Sequence, residues 1–284
     1  ATEGAQLRLK TYVRRNCCGP RFMFIVEGPN RRLRQPWVIY SIIIISSFVF
    51  YFTYEDTGSV ARKFGYLATD LSPIRLLTAL FLHGSIFHLV GNLIYLYTFG
   101  DNVEDVLGSK MFLPVYLVLG LAGHFGYHLF HFGSNIPAIG ASGAISGLLG
   151  IYIVFFPNVR SKLFIAGSNR FAEIPMTMVF SIGIWFLVQL TIGLFTEIAG
   201  VSNVGFTAHI GGFVAGLGLG YWFKKRGLLH EHRLRLFQNR SYHKFSICPA
   251  CYHETPTDGY GRYKCVACES EFLFDRTGIK LLIQ

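Results

Sequence analysis

GASGAISGLLG, residues Gly140 to Gly150, begins a long apolar run with a serine set between residues that have almost no side chain. Gly143, Gly147 and Gly150 recur at helical spacing and leave one face nearly bare, so a second helix backbone can approach closely. AHIGGFVAGLGLG, Ala208 to Gly220, supplies a partner: Ala208, Gly212, Gly216 and Gly220 recur every four residues, with His209 beside the stripe. Packing alone would account for either stripe. Together they predict two helices in close contact, holding Ser142 and His209 within hydrogen-bond reach. Ser142 also falls near a helix N-terminus, where unpaired N–H groups and the dipole favour developing negative charge.

The surroundings are those of a membrane protein. The chain has 284 residues, of which 51% are hydrophobic and 15% charged, and a mean hydropathy of +0.40, too high for an ordinary soluble domain of this length. Uncharged runs cover Pro36 to Tyr54, Leu76 to Gly100, Met111 to Phe130, Ile139 to Val159, Met176 to Thr196 and Gly205 to Phe223. Each is close to the ~20 residues that cross a bilayer core, which predicts six transmembrane helices. The fourth is the shortest, from about Ser142 to Pro157, because SNIPAIGA before it reads as loop.

The formal net charge of +10 sits at the ends. Arg8, Lys10, Arg14, Arg15, Arg21, Arg31, Arg32 and Arg34 precede the first run, and Lys224, Lys225, Arg226, Arg233, Arg235 and Arg240 follow the last. With an even number of spans both tails share one side, and the positive-inside rule makes it the cytoplasm. Membrane orientation explains the charge, and no nucleic-acid partner is expected. The first apolar run begins after a long polar and basic stretch without a cleavage pattern, so no signal peptide is expected.

Polar side chains at membrane depth are costly and tend to mark function. In HGSIFHLVGN, His88 and Asn92 stand four apart on one helix face and could both donate to one oxygen, or simply bond to neighbouring helices. A serine hydroxyl is a poor nucleophile until a base takes its proton, and acyl transfer passes through an oxyanion that needs preset donors. Ser142, His209, His88 and Asn92 supply those parts. With no membrane carboxylate evident, a Ser–His dyad is the minimal reading. There is neither an HExxH motif nor a pair of intramembrane aspartates, and no internal repeat of the kind expected for a transporter. His124 and His128 have a chelating spacing with His131 nearby, but no carboxylate or cysteine joins them, which favours packing.

HGSIFHLVGN, GASGA and AHIGG, in this order on successive membrane segments, resemble the rhomboid family of intramembrane serine proteases, and FGDNVEDVLGSK resembles its G-x-x-x-E-x-x-x-G element through Gly100, Glu104 and Gly108. The resemblance covers roughly residues 70 to 223. It implies that Ser142 is the nucleophile and His209 its base, and that the Ser142 N–H with His88 and Asn92 forms the oxyanion hole. It also implies a structural role for His83, and substrates that are single-span membrane proteins with a small P1 residue. Arg75 matches an arginine of the first extramembrane loop, although Ile74 stands where many members have tryptophan. Ser146 stands where some members carry an aromatic that stacks on the histidine. Rhomboid-like pseudoproteases, which bind transmembrane clients without cutting them, lack the serine or the histidine; this chain has both.

Residues 1–35 read as a basic cytoplasmic N-terminal segment without helical period, containing the adjacent Cys17 and Cys18, either free thiols or palmitoylation sites. After the membrane domain, residues 36–223, comes a basic linker, 224–243, and a module at 244–284. There CPAC and CVAC present Cys248, Cys251, Cys265 and Cys268 as two CxxC knuckles, joined by an expected β-hairpin, with Phe272 and Phe274 on a strand that covers the site. This predicts a structural Zn2+ ribbon, since disulfides are disfavoured on the reducing side of a membrane and a module this small needs metal to fold. A cytosolic partner could dock there.

The fold class expected is thus an all-α polytopic membrane protein, a six-transmembrane-helix rhomboid-like bundle in the lipid bilayer plus a small C-terminal β zinc ribbon. A bacterial plasma membrane is the expected location, as no targeting presequence is visible.

Overall fold

The computed structural model describes residues 22–27, 33–167, 170–198, 205–232, 245–251, 253–257, 261–275 and 278–283. Cys17, Cys18 and the basic residues Arg8 to Arg32 and Arg233 to Arg240 lie outside them.

The first helix, α1 (Trp37–Thr53), is apolar on every side. Only Ile39, Ile42 and Ser46 are buried, while Ile44, Phe48, Tyr51 and Phe52 face outward, as expected of a helix solvated by lipid tails. Two of its orphan N-terminal donors, and two backbone N–H groups of the segment before it, are met by carboxylates from far along the chain. Glu104 accepts from Val38 N and Ile39 N, both at 3.1 Å, and Asp105 from Leu33 N and Arg34 N, both at 2.9 Å. Glu104 lies in α5 (Asp101–Leu107) and also takes the Ser109 hydroxyl at 2.6 Å. The acidic stretch after the second apolar run is therefore a cap for the first.

The run Leu76 to Gly100 is not one straight span. The helical pieces Pro73–Phe81 and Ile86–Leu107 meet at 89°. Leu82 is extended and Ser85 restarts the chain as N-cap of α4 (Ile86–Tyr95), its hydroxyl accepting from His88 N at 3.2 Å. The short helices α2 (Thr57–Phe64) and α3 (Pro73–Thr78) precede it, clamped by Arg75, which donates to the carbonyls of Arg62 and Gly65 and pairs with Asp70 at 2.8 Å.

By length and composition, two helices among the described residues can cross a membrane, Trp37–Phe64 and Ser109–Phe130, or three if the bent pair is one span. The remaining apolar helices are α7 (Ser142–Phe155), α8 (Met178–Ile198) and α9 (Phe206–Lys225), after α6 (Ser109–Phe130). Apolar helices and this fold make the chain an integral membrane protein. α7 is central: it is 14 residues long and 11 of them are buried. Its most extensive contact is with α9, then with α6.

Two elements were not expected from the sequence. β1 (Phe22–Glu27), β2 (Arg160–Gly167) and β3 (Arg170–Thr177) form an antiparallel sheet in the order β1-β2-β3, joining the N-terminal segment to the connection between α7 and α8. Strands of six to eight residues with mixed polar and apolar positions carry no decisive period; β2 and β3 form a local hairpin turning between Gly167 and Arg170, whereas the partner of β1 is distant in sequence. In the C-terminal module the expected hairpin between the two CxxC pairs is replaced by two hairpins, each turning through its own knuckle. β4 (Phe245–Ile247) pairs β5 (Glu254–Pro256) around Cys248 and Cys251; β6 (Gly261–Lys264) pairs β7 (Glu271–Asp275) around Cys265 and Cys268, and β8 (Gly278–Ile283) adds to β7.

Candidate active site

The glycine stripes do what their spacing predicts. A Cβ on Gly212 would overlap the Gly143 carbonyl, one on Gly216 the Gly147 carbonyl, and one on Gly150 would lie 2.5 Å from the Phe213 carbonyl. α6 joins through Gly123 against Gly143 and Gly126 against Gly211. Three backbones thus meet without intervening side chains, which fixes the α7 N-terminus against α9.

That N-terminus opens into a cavity of about 550 Å³ lined by Ser142, Gly140, His88, His124, Tyr127 and Ala208 among others. The turn before Ser142 is shaped by Gly140, whose φ of +117° is a conformation that L side chains rarely adopt. A Cβ there would stand 2.8 Å from the His88 Nε2 and 3.9 Å from the Asn92 Nδ2. His88 and Asn92 therefore border the turn that delivers Ser142. Asn92 Nδ2 donates one of its two hydrogens to the His88 carbonyl at 2.9 Å, which orients the amide and leaves its other N–H for a further acceptor. Two straps hold the turn: Gly140 N donates to Ala79 O at 2.8 Å, and Tyr66 and Ala138 exchange backbone bonds of 3.0 and 2.8 Å.

His209 is buried, and neither ring nitrogen has a hydrogen-bond partner. Phe206 lies edge-on to its ring at 5.9 Å and Trp185 tilts against it at 6.4 Å; Trp185 in turn packs on Tyr95 at 5.5 Å. Ser142 is half-buried. The structure brings α7 and α9 together as expected, while the bond between hydroxyl and imidazole is not formed in it. His83 is buried, with Nδ1 3.2 Å from the Phe81 carbonyl and its ring edge-on to His88 at 5.2 Å.

The two histidines of α6 and His131, which caps its C-terminus, are parted by aromatic partners. His124 stacks on Tyr66 at 4.6 Å, His128 Nδ1 lies 3.1 Å from the Tyr66 hydroxyl, and His131 stacks on Tyr127 at 4.1 Å. Among the described residues they form no metal-holding group.

A family model described as the rhomboid domain matches residues 71–226, more than half of the chain. The chain belongs to the rhomboid family. It is 37% identical over 142 residues to the rhomboid protease GluP of Bacillus subtilis, covering 50% of this chain and 24% of that protein. Similarity to RHOMBOID-like proteins 1 and 4 of Arabidopsis thaliana runs at 32% and 33% identity, over 52% and 58% of this chain and 34% and 40% of theirs. This rhomboid therefore spans well under half the length of these relatives, and its cysteine module lies beyond the matched region.

Sequence reasoning missed Trp185 and Tyr95, since one aromatic in an apolar helix carries no signal of what it faces. It also missed Gly140, although a glycine two residues before the serine was open to reading as a backbone requirement.

The cysteine module carries a second site. The four Sγ atoms lie within 4.8 Å of one another, with Cys248 to Cys268 at 3.6 Å and Cys251 to Cys265 at 3.5 Å. Thiolates about a tetrahedral ion with metal–sulfur bonds of about 2.3 Å stand roughly 3.8 Å apart, so the set fits a metal. The two knuckles match: Ala250 N points to Cys248 Sγ and Ala267 N to Cys265 Sγ, both at 3.4 Å. A hydrogen bond with Cys251 holds the Cys248 thiol down at about 5, the same bond pushes Cys251 up, and burial pushes Cys268 up. So crowded a set sheds all its protons only to a cation. Phe272 packs into this core as expected; Phe274 is buried outside it.

Proposed function

We propose that this rhomboid is an intramembrane serine protease that cuts single-span membrane proteins in or near the outer part of the span, using Ser142 and His209. The single observation that carries the reading is the glycine seam between α7 and α9, which sets the start of α7, with Ser142, at a cavity also lined by His88 and holds the helix of His209 against it. The rhomboid protease GluP, among the relatives, supports the same chemistry.

Ser142 Oγ attacks the scissile carbonyl as His209 Nε2 takes its proton, and the resulting oxyanion accepts from the Ser142 N–H and from His88 and Asn92. Collapse expels the amine, which takes the proton from His209. Water then attacks the acyl-enzyme by the reverse proton path and releases the acid. Asn92 can keep its bond to the His88 carbonyl and give the second N–H of the same amide to the oxyanion.

Six membrane segments follow from α1, the bent pair, α6, α7, α8 and α9. A 14-residue helix is only ~21 Å long, less than the roughly 30 Å hydrocarbon core. Enclosed by its neighbours, α7 need not reach the membrane surface, so Ser142 lies at a cavity floor that water can enter. Both ends of the chain then face the cytoplasm, in a bacterial plasma membrane. Cys248, Cys251, Cys265 and Cys268 would hold Zn2+, which would fix the two knuckles, and the ribbon would dock a cytosolic partner.

The test is cleavage in proteoliposomes of a single-span reporter. Wild type should cut it, while Ser142→Ala and His209→Ala, at equal folded yield, should not. Failure of wild type across several reporters would contradict the proposal.

A further inference from the structure

A histidine acting as base needs its proton on the nitrogen remote from the nucleophile, and in triads a third group holds it there. α6, α7 and α9 contain no aspartate or glutamate. What, then, orients His209?

The helix contacts give the register. Gly143 lies on Gly212, Gly147 on Gly216, and Gly150 against the Phe213 carbonyl and the Leu217 N–H. Contacts advance together along α7 and α9, so one turn back from Gly150 and Phe213 brings Ser146 opposite His209. Both are buried, at 1% and 6% exposure, and both carry unpaired polar atoms: Ser146 Oγ, and Nδ1 and Nε2 of His209. Such atoms are costly unless they find partners. Phe206 and Trp185 cover the imidazole with carbon, which leaves the serine hydroxyl as the polar group on that side.

We propose that Ser146 Oγ accepts the Nδ1–H of His209, so that the tautomer with a free Nε2 lone pair is the one presented to Ser142. The inference rests on the dyad reading above. Ser146 is a positioning residue and touches no substrate. When Nε2 takes the Ser142 proton the bond becomes charge-assisted and strengthens, so its benefit is larger in the transition state than at rest. Rotation of the hydroxyl and the imidazole closes the pair. Among the described residues, the other titratable groups near the site are His88 on α4, His124, Tyr127 and His128 on α6, and His131 just past its end.

The experiment uses the full chain in nanodiscs and measures the second-order rate of fluorophosphonate modification of Ser142 from pH 5 to 9, beside kcat and KM for a reporter. Ser146→Ala should lower the plateau rate and kcat about fivefold to tenfold, leave KM unchanged and move the acid limb. Ser146→Thr, which keeps the hydroxyl, should recover most of the rate, and its near-isostere Ser146→Val should not. Equal rates and limbs in wild type and Ser146→Ala, or equal losses in Thr and Val, would overturn the proposal. No modification of wild-type Ser142 would instead overturn the dyad reading on which it rests.

Discussion

The Gly143 carbonyl lies so close to the Cα of Gly212 that a methyl group on Gly212 would overlap it. This contact joins the helix of Ser142 to that of His209, and the chemistry proposed here depends on their separation.

Gly212→Ala should therefore push α9 from α7. Overpacking of this kind costs about 1–3 kcal/mol, and reporter cleavage should fall further than stability does, because dyad geometry fails first. Gly218→Ala, on the same helix but with open space around it, is the control and should leave both unchanged. Thermal unfolding in detergent and cleavage rates check the pair.

Gly140→Ala would place a Cβ 2.8 Å from the His88 ring at a φ of +117°. Turnover should drop on the order of 10²-fold, the loss typical of a disturbed oxyanion donor. Gly133 also has a positive φ, +78°, but nothing within 4 Å; Gly133→Ala should cost stability of about 1 kcal/mol and little activity. Measuring kcat for both variants separates backbone strain from damage to the site.

Glu104→Ala removes the acceptor for Val38 N, Ile39 N and the Ser109 hydroxyl. Buried donors left unpaired cost ~1–3 kcal/mol, so the melting temperature should fall. Below that temperature Ser142 should react with fluorophosphonate at the wild-type rate, since Glu104 acts on the α1 terminus and not on the cavity.

Metal analysis of protein purified without added metal should find one zinc ion per chain, and Cys251→Ser should lose it. Chelation should make the C-terminal module sensitive to protease while the membrane domain stays resistant. Iron at this site, or full protease resistance without metal, would contradict a zinc-dependent ribbon.

What was legible in the sequence was written in residues that a membrane tolerates only for a reason. Glycines every four residues announced the α7–α9 seam, and Ser142, His88, Asn92 and His209 stood out as polar groups in apolar runs. The bend between Phe81 and Ile86 was hidden because hydropathy averages through a break of this size. Within the β1-β2-β3 sheet, β1 pairs with β2 across more than 130 positions, as Phe24 with Phe164, which no local pattern encodes. The buried bond of 2.8 Å between His232 Nε2 and Asp105 is equally non-local; it ties the segment after α9 to the carboxylate that holds Leu33 and Arg34. Trp185 was invisible for a different reason: any apolar helix carries aromatics, and only the packing says which one meets His209.

The most direct test of the central claim is to treat the protein in lipid with a fluorophosphonate and map the adduct by peptide mass spectrometry, in wild type and in His209→Ala. The account predicts a single modified residue, Ser142, whose labelling is lost without the His209 imidazole. Modification of a different serine, or labelling of Ser142 that proceeds equally fast in His209→Ala, would contradict it.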